Sequence, residues 1–243
     1  MLGPPGSAKS TIAGELLGRL PGSVDLEKAA LLAIRHSGED GVAKFVARLT
    51  RAPGNPLWKW VYARSSDRFS ALTRFIDEHP KVMQRVTKTQ RKRSKRDRSQ
   101  DVVLGWLLNL MARYQLAVEN AELFERLVID EGFCQRAVAL FGYGFDDQDM
   151  SRLTEYVEAM PTPDVVILVE TPVEICERRL DSRGWSERVT ELDPSGRHQF
   201  LLDSVRVVEE VVALLGAKSR LIRVDGTKPP TEVTERLITA LSG

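Results

Sequence analysis

The chain has 243 residues, of which 42% are hydrophobic and 28% charged, and its formal net charge is +1. That balance describes a soluble globular protein large enough to bury a substantial core, and one α/β domain spanning residues 1–243 is the expectation. Near-neutrality argues against a protein that coats nucleic acid, and without a run of about 18 apolar residues neither a transmembrane helix nor a membrane partner is expected.

The stretch Gly3-Pro4-Pro5-Gly6-Ser7-Ala8-Lys9-Ser10-Thr11 follows the pattern G-x-x-x-x-G-K-S/T, except that Ala8 stands where the residue before the lysine is expected to be glycine. In such a loop the backbone N–H groups curl around nucleotide phosphates, and the helix that follows adds its dipole. Lys9 is placed to reach the β- and γ-phosphates of a bound nucleotide, and the Ser10 hydroxyl to ligate Mg²⁺. Ile12, Leu16, Leu17 and Leu20 give residues 11–20 one apolar helical stripe, and Pro21-Gly22 stops it. Ala8 is expected to carry local strain, because glycine takes positive φ without cost and alanine does not. A phosphate loop normally follows a buried strand, yet only Met1 and Leu2 precede this one. A truncated first strand, with the true start upstream, is the expectation.

Residues 23–27 read either as a short second strand or as the cap of a helix through Ile34, and Ala29, Ala30 and Ala33 favour the helix. Gly38 and Gly41 break it, and 42–49 reads as another short helix. Ala52-Pro53-Gly54-Asn55-Pro56 is a turn. Leu57, Trp58, Trp60, Val61 and Tyr62 then form an aromatic cluster, serving either as core or as a wall for a flat substrate ring. Residues 70–79 read as a helix ended by Pro80. From Lys88 to Arg98 there are seven cations in eleven residues. The run is either a solvated surface or a binding site for a phosphorylated or polyanionic substrate. It lacks interleaved aromatics, so nucleic acid is the less favoured partner. From Asp101 a strong apolar periodicity predicts a helix through Val118. Residues 27–121 thus read as a mainly helical insertion suited to binding a substrate.

The second half has a different texture. Leu127-Val128-Ile129 is a short buried-strand run ending in Asp130-Glu131-Gly132. Gly142 to Gly144 and the acidic residues 146–149 read as a loop before a helix over 151–160. Val165 to Glu170 is the strongest strand signal, followed by a helix over 173–182. After a polar segment come a helix over 198–215, a strand over 221–225 and a final helix capped by Thr231. Strands alternating with helices specify a parallel sheet with helices on its faces. Cys134 and Cys176 lie in apolar contexts without C-x-x-C spacing. They are expected to be buried free thiols, which suits a reducing cytoplasm.

Several of these residues carry chemistry. Asp130 ends an apolar strand, where open α/β sheets bind ligands, and is the expected second Mg²⁺ ligand beside Ser10. Glu131 follows it and either orients a water, acts as base toward a substrate hydroxyl, or faces solvent. Arg136 lies one turn further, in reach of a transferred or acceptor phosphate. Arg178, Arg179, Arg183 and Arg188 form either a solvated helix, with pairs such as Glu174 and Arg178, or a lid that neutralises phosphoryl charge. Arg183 and Arg188 are the favoured phosphate contacts, because they lie in or just beyond the loop at Gly184. His36, His79 and His198 are scattered, and no zinc or triad site is suggested.

The order of phosphate loop, helical middle, strand ending in Asp130, strand 165–169 with Arg178-x-x-x-x-Arg183-Gly184, and Val224-Asp225-Gly226-Thr227 resembles the thymidylate kinase and deoxynucleoside kinase group of P-loop kinases. The resemblance covers the first twenty residues and about the last 120, and not the middle. It implies a three-layer α/β/α P-loop fold with a mostly parallel sheet, bound ATP and Mg²⁺, and Gly226, Thr227 and Lys228 as neighbours of the adenine. Where that group has an acidic residue followed by arginine, this chain has Asp130-Glu131. The group's signature after the second strand is absent, which leaves Asp25 or Glu27 as candidate bases. The expected activity is ATP- and Mg²⁺-dependent phosphoryl transfer to a small acceptor: a nucleoside, nucleotide or sugar. The rivals are an NTP-hydrolysing switch using Asp130-Glu131, and a degenerate nucleotide-binding protein acting through a macromolecular partner. The oligomeric state, a dimer included, is left open.

Overall fold

The computed structural model describes residues 1–50, 54–92 and 99–242, with the backbone alone at 91–92 and 99–101. In chain order the first half contains α1 (Lys9–Arg19), β1 (Ser23–Asp25), α2 (Leu26–Ser37), α3 (Gly41–Leu49), α4 (Pro56–Arg64), α5 (Ser66–Glu78), α6 (Pro80–Lys92) and α7 (Ser99–Glu119). Then come β2 (Arg126–Val128), α8 (Phe133–Phe141), α9 (Asp147–Ala159), β3 (Val165–Glu170), α10 (Val173–Arg183), α11 (Glu187–Thr190), α12 (Pro194–Leu215), β4 (Arg220–Asp225) and α13 (Pro230–Ser242). Most of the Lys88–Arg98 run and the Ala52-Pro53 part of the turn lie outside the described residues.

Contacts divide the chain into two units. The first comprises Met1–Arg19, Lys81–Val103 and Asp130–Gly243, and the second Leu20–Pro80 and Leu104–Ile129. In the first unit β3 and β4 pair in parallel over six residues, from Val165 opposite Arg220 to Glu170 opposite Asp225. Leu2, fully buried, joins the other edge of β3 through a parallel bridge to Leu168. Its N–H donates to the Ile167 carbonyl, and its own carbonyl accepts from the Val169 N–H, both at 2.9 Å. Leu2 therefore pairs as a strand residue immediately before the phosphate loop. Helices α1 and α13 pack together, and α12 packs against α8, α9 and α10. Cys176, Leu180, Val189, Phe200 and Leu201 form one apolar cluster there. Cys176 and Cys134 are buried free thiols, and burial pushes each up to about 11.

In the second unit β1 pairs in parallel with β2, Val24 lying opposite Leu127. The ambiguous segment 23–27 is thus both things: three strand residues, then α2, with Asp25 as its N-cap. Leu31, Ile34, Val46, Trp58, Tyr62, Ala71 and Leu116 share a core. The aromatic cluster is accordingly split, with Trp58 and Tyr62 in the core and Leu57 and Trp60 more than half exposed.

Capping shifts several boundaries from those expected. Asp146 accepts from the N–H groups of Gln148 and Asp149, so residues 147–149, read as loop, open α9 instead. Asp193 caps α12 through the Gly196 N–H at 2.7 Å with Pro194 as first helical residue, which starts that helix four residues before His198. Ser65 caps α5, and Pro80 opens α6. At α5, α9 and α12 a side chain satisfies an end that periodicity alone does not mark.

Candidate active site

The loop between Leu2 and α1 is built from unusual backbone. Gly6 has φ of 84° and Ala8, alone among the described non-glycine residues, has positive φ, at 73°. The strain expected at Ala8 is therefore present. The fit around the loop is close on every side. A Cβ on Gly3 would lie 2.7 Å from the Val169 carbonyl oxygen, and one on Gly6 would lie 2.6 Å from that of Cys176. Gly3 donates its N–H to Gln135 Oε1 at 3.2 Å, and Thr171 Oγ1 donates to the buried Ser7 carbonyl at 3.4 Å. The ends of β3 and α8 thus hold the loop from outside.

Lys9, the first residue of α1, points back into the loop. Its Nζ donates to the carbonyls of Gly3 and Pro4, both at 2.8 Å, and to Ser7 Oγ at 3.3 Å. The side chain is almost wholly buried, and desolvation lowers its pKa from 10.5 to about 8. The charges of Glu131 and Asp130 oppose that shift and Arg183 reinforces it, so these groups act on the ammonium. Ser10 and Thr11 follow with exposed side chains, on the first turn where α1 leaves N–H groups unpaired within the helix.

Arg179, on α10, makes the contact that closes the site. Its Nη1 donates to the Gly6 carbonyl at 3.2 Å and its Nη2 to the Gly226 carbonyl at 3.0 Å. Gly226 itself abuts Ser7, and a Cβ there would lie 2.7 Å from the Ser7 oxygen and overlap Thr171 Oγ1. Thr227 donates from N and Oγ1 to Asp225 Oδ1, which holds the Asp225 carboxyl below the usual carboxylate range. The Lys228 N–H donates to the Asp225 carbonyl at 3.3 Å. The turn after β4 is thereby locked beside the phosphate loop. A groove of about 800 Å³ opens next to it, lined by Pro4, Thr171, Asp225 and Thr227 and by Val205, Val208 and Val212 of α12.

The other arginines have separate positions. Arg183, exposed, ends α10 just before Gly184, whose φ is 95°. Arg188 donates to the Ala139 carbonyl at 3.2 Å and lies over the Tyr143 ring at 4.6 Å. Arg136 pairs with Glu131 at 2.8 Å. Asp130 is half-buried after β2. The loop residues, Lys9, Gly226, Asp130, Glu131 and Arg183 are thus gathered, whereas Arg188 is anchored to α8 and Tyr143. Gln135, Thr171 and the clamp made by Arg179 did not emerge from the sequence. Arg179 was visible there as one of four arginines, and Gln135 gives no sequence signal at all.

In the second unit the two candidate bases differ. Asp25 is engaged in capping α2, accepting from the Lys28 N–H at 2.6 Å. Glu27 Oε2 lies 3.8 Å from Arg113, and its Oε1 is buried without a hydrogen-bond partner. Arg113 also lies over the ring of Tyr62, whose hydroxyl burial pushes up to about 12. Glu27 thus keeps a buried carboxylate oxygen without a hydrogen-bond partner, whereas Asp25 Oδ1 is committed to the cap.

No protein-family model matches this sequence, and no curated protein sequence matches it. Among solved structures it is similar to deoxyadenosine kinase from M. mycoides. The form with dCMP and a flexible dCDP bound is 14% identical with a TM-score of 0.52, the match covering 99% of this chain and 96% of that one. The form with bound dATP is 16% identical with a TM-score of 0.51, covering 100% and 97%. The chain shares the fold of these deoxyadenosine kinase structures.

Proposed function

We propose that the protein is an ATP-dependent kinase that transfers the γ-phosphoryl group to a small acceptor, a nucleoside, nucleotide or sugar. The observation that carries this reading is the buried Lys9 ammonium. It is desolvated and held within a strained loop whose carbonyls are its present partners. A polyphosphate entering the loop replaces neutral acceptors with anionic oxygens, which a desolvated cation binds far better. The N-terminus of α1 adds its N–H groups, and Arg183 adds a second cation against the charge that develops in transfer.

Ser10 and Asp130 are the proposed Mg²⁺ ligands. A hydroxyl and a carboxylate are hard oxygen donors, and Mg²⁺ is commonly bound by one or two carboxylates plus substrate phosphates and water, so this small donor set fits it. When bound, the ion neutralises phosphate oxygens. Gly226 to Lys228 are the proposed neighbours of the nucleotide base, supported by the clamp that ties Gly226 to the loop.

The test is an acceptor panel with γ-labelled ATP and Mg²⁺. Label appearing in one acceptor, in proportion to ADP formed and lost in Lys9→Ala, supports the kinase. Steady phosphate release without acceptor, abolished by Glu131→Gln, would instead establish a hydrolytic switch.

A further inference from the structure

We propose that the outer face of α3 and α4 docks on an anionic lipid surface. Both helices are apolar on two sides. On α3 the inner side is Ala43, Val46 and Ala47, all buried, while Val42, Phe45 and Leu49 are 62 to 66% exposed. The spacing i, i+3, i+7 makes those three a single stripe. On α4 the inner side is Trp58, Val61 and Tyr62, and Leu57 and Trp60 are 53 and 56% exposed. A helix covering a core ordinarily turns charged and polar residues outward, and these two helices place five large apolar side chains there.

The charges beside these residues are all of one sign. Lys44 and Arg48 belong to α3, Lys59 and Arg64 to α4, and the sequence from Gly41 to Arg64 contains no acidic residue. In a chain of net charge +1 this is a strong local excess. The carboxylates flanking this stretch in sequence are Glu39, which is exposed, and Asp40 and Asp67, which are engaged. Asp40 accepts from the N–H groups of Val42, Ala43 and Ser66, and Asp67 from those of Glu39 and Asp40. Arg64 lies over the Trp60 ring at 4.5 Å and donates to the Trp60 carbonyl. This pair places an amphipathic ring beside a cation, as at the boundary between headgroups and acyl chains.

The charge pattern selects the partner. A second copy meeting the same face would set like charges against one another, because a two-fold contact is self-complementary. The apolar side chains project into solvent, more than half exposed, so they need a medium that yields around them. A bilayer surface with anionic headgroups supplies that medium for the apolar stripe and counter-charge for the four cations. No helix among the described residues is long and apolar enough to cross a membrane, so the contact would be peripheral.

The experiment is co-sedimentation of the full chain with phosphatidylcholine vesicles, with and without phosphatidylglycerol. Binding to the anionic vesicles should be at least roughly tenfold stronger than to the neutral ones and should weaken at raised salt. Phe45→Ser/Leu49→Ser and, separately, Lys44→Glu/Arg48→Glu should each lower it by about tenfold or more, with circular dichroism unchanged. Tryptophan emission should shift to the blue on binding, and Trp60→Phe should remove most of that shift. The proposal is overturned if anionic vesicles do not sediment the protein, or if both double variants bind like the parent. It is also overturned if the face instead mediates a concentration-dependent dimer that Phe45→Ser/Leu49→Ser abolishes.

Discussion

Arg179 Nη1 donates to the carbonyl of Gly6 at 3.2 Å, and its other terminal nitrogen reaches Gly226. One planar guanidinium thereby fixes the phosphate loop to the turn after β4, with a fork that a lysine ammonium does not reproduce. Arg179→Lys and Arg179→Met should both weaken ATP binding by roughly tenfold, the loss of one charged hydrogen bond after allowance for partial exposure. Titration calorimetry measures this. If lysine restores parental affinity, charge alone matters and the clamp does not.

Gly226 tolerates added volume poorly. Its Cβ would meet Ser7 O at 2.7 Å and Val169 Cγ1 at 2.7 Å, besides Thr171 Oγ1. Gly226→Ala should cost about 1–3 kcal/mol of stability by overpacking. Thr171→Ala should rescue only part of it, because the Ser7 backbone contact remains. Urea titration of the single and double variants separates the two contributions, and full rescue would show that the side-chain contact is the whole obstacle.

What could be read from the sequence follows the range of each signal. Val165 to Glu170 was legible with its observed bounds, because a buried parallel strand writes itself as a continuous β-branched run. The tight turn at Gly3 to Ala8 was legible for a similar reason, since backbone with positive φ at Gly6 and Ala8 calls for particular residues in succession. β1, only three residues long, fell below the length at which periodicity discriminates strand from helix. The acidic residues 146–149 looked like loop because they are polar, whereas Asp146 uses its carboxylate as a cap. Within the site, Arg179 bonds Gly6 across 173 residues and Gly226 across 47, and Gln135 meets Gly3 across 132. Contacts of that separation depend on the assembled fold and leave no local pattern.

Ala8 offers a gain in stability. Left-handed backbone costs an L-residue about 1–2 kcal/mol, and glycine's greater freedom in the unfolded chain returns about 0.5–1 kcal/mol of that. Ala8→Gly should therefore raise the thermal midpoint by roughly 1–3 °C, read by calorimetry. A lowered midpoint would mean that the alanine methyl makes contacts outweighing its strain.

Lys9 makes the nucleotide affinity dependent on pH. Its pKa in the free protein is lowered from 10.5 to about 8 by desolvation, so the protonated form is the disfavoured one in the fold. The sign for stability follows: the fold gains as pH rises from about 8 toward 10.5, where the unfolded lysine still holds a proton that the folded one has released. For binding the sign is opposite, because polyphosphate favours the ammonium and raises its pKa again. ATP affinity should fall by about tenfold between roughly pH 7 and pH 9, with close to one proton taken up per nucleotide at the upper end. Calorimetry in buffers of different ionisation enthalpy reads the proton count directly. Lys9→Arg keeps its charge throughout this range and should flatten the profile while binding more weakly, since the guanidinium does not fit the space of the ammonium. A parental affinity unchanged from about pH 7 to pH 9 would remove Lys9 from the phosphate contacts.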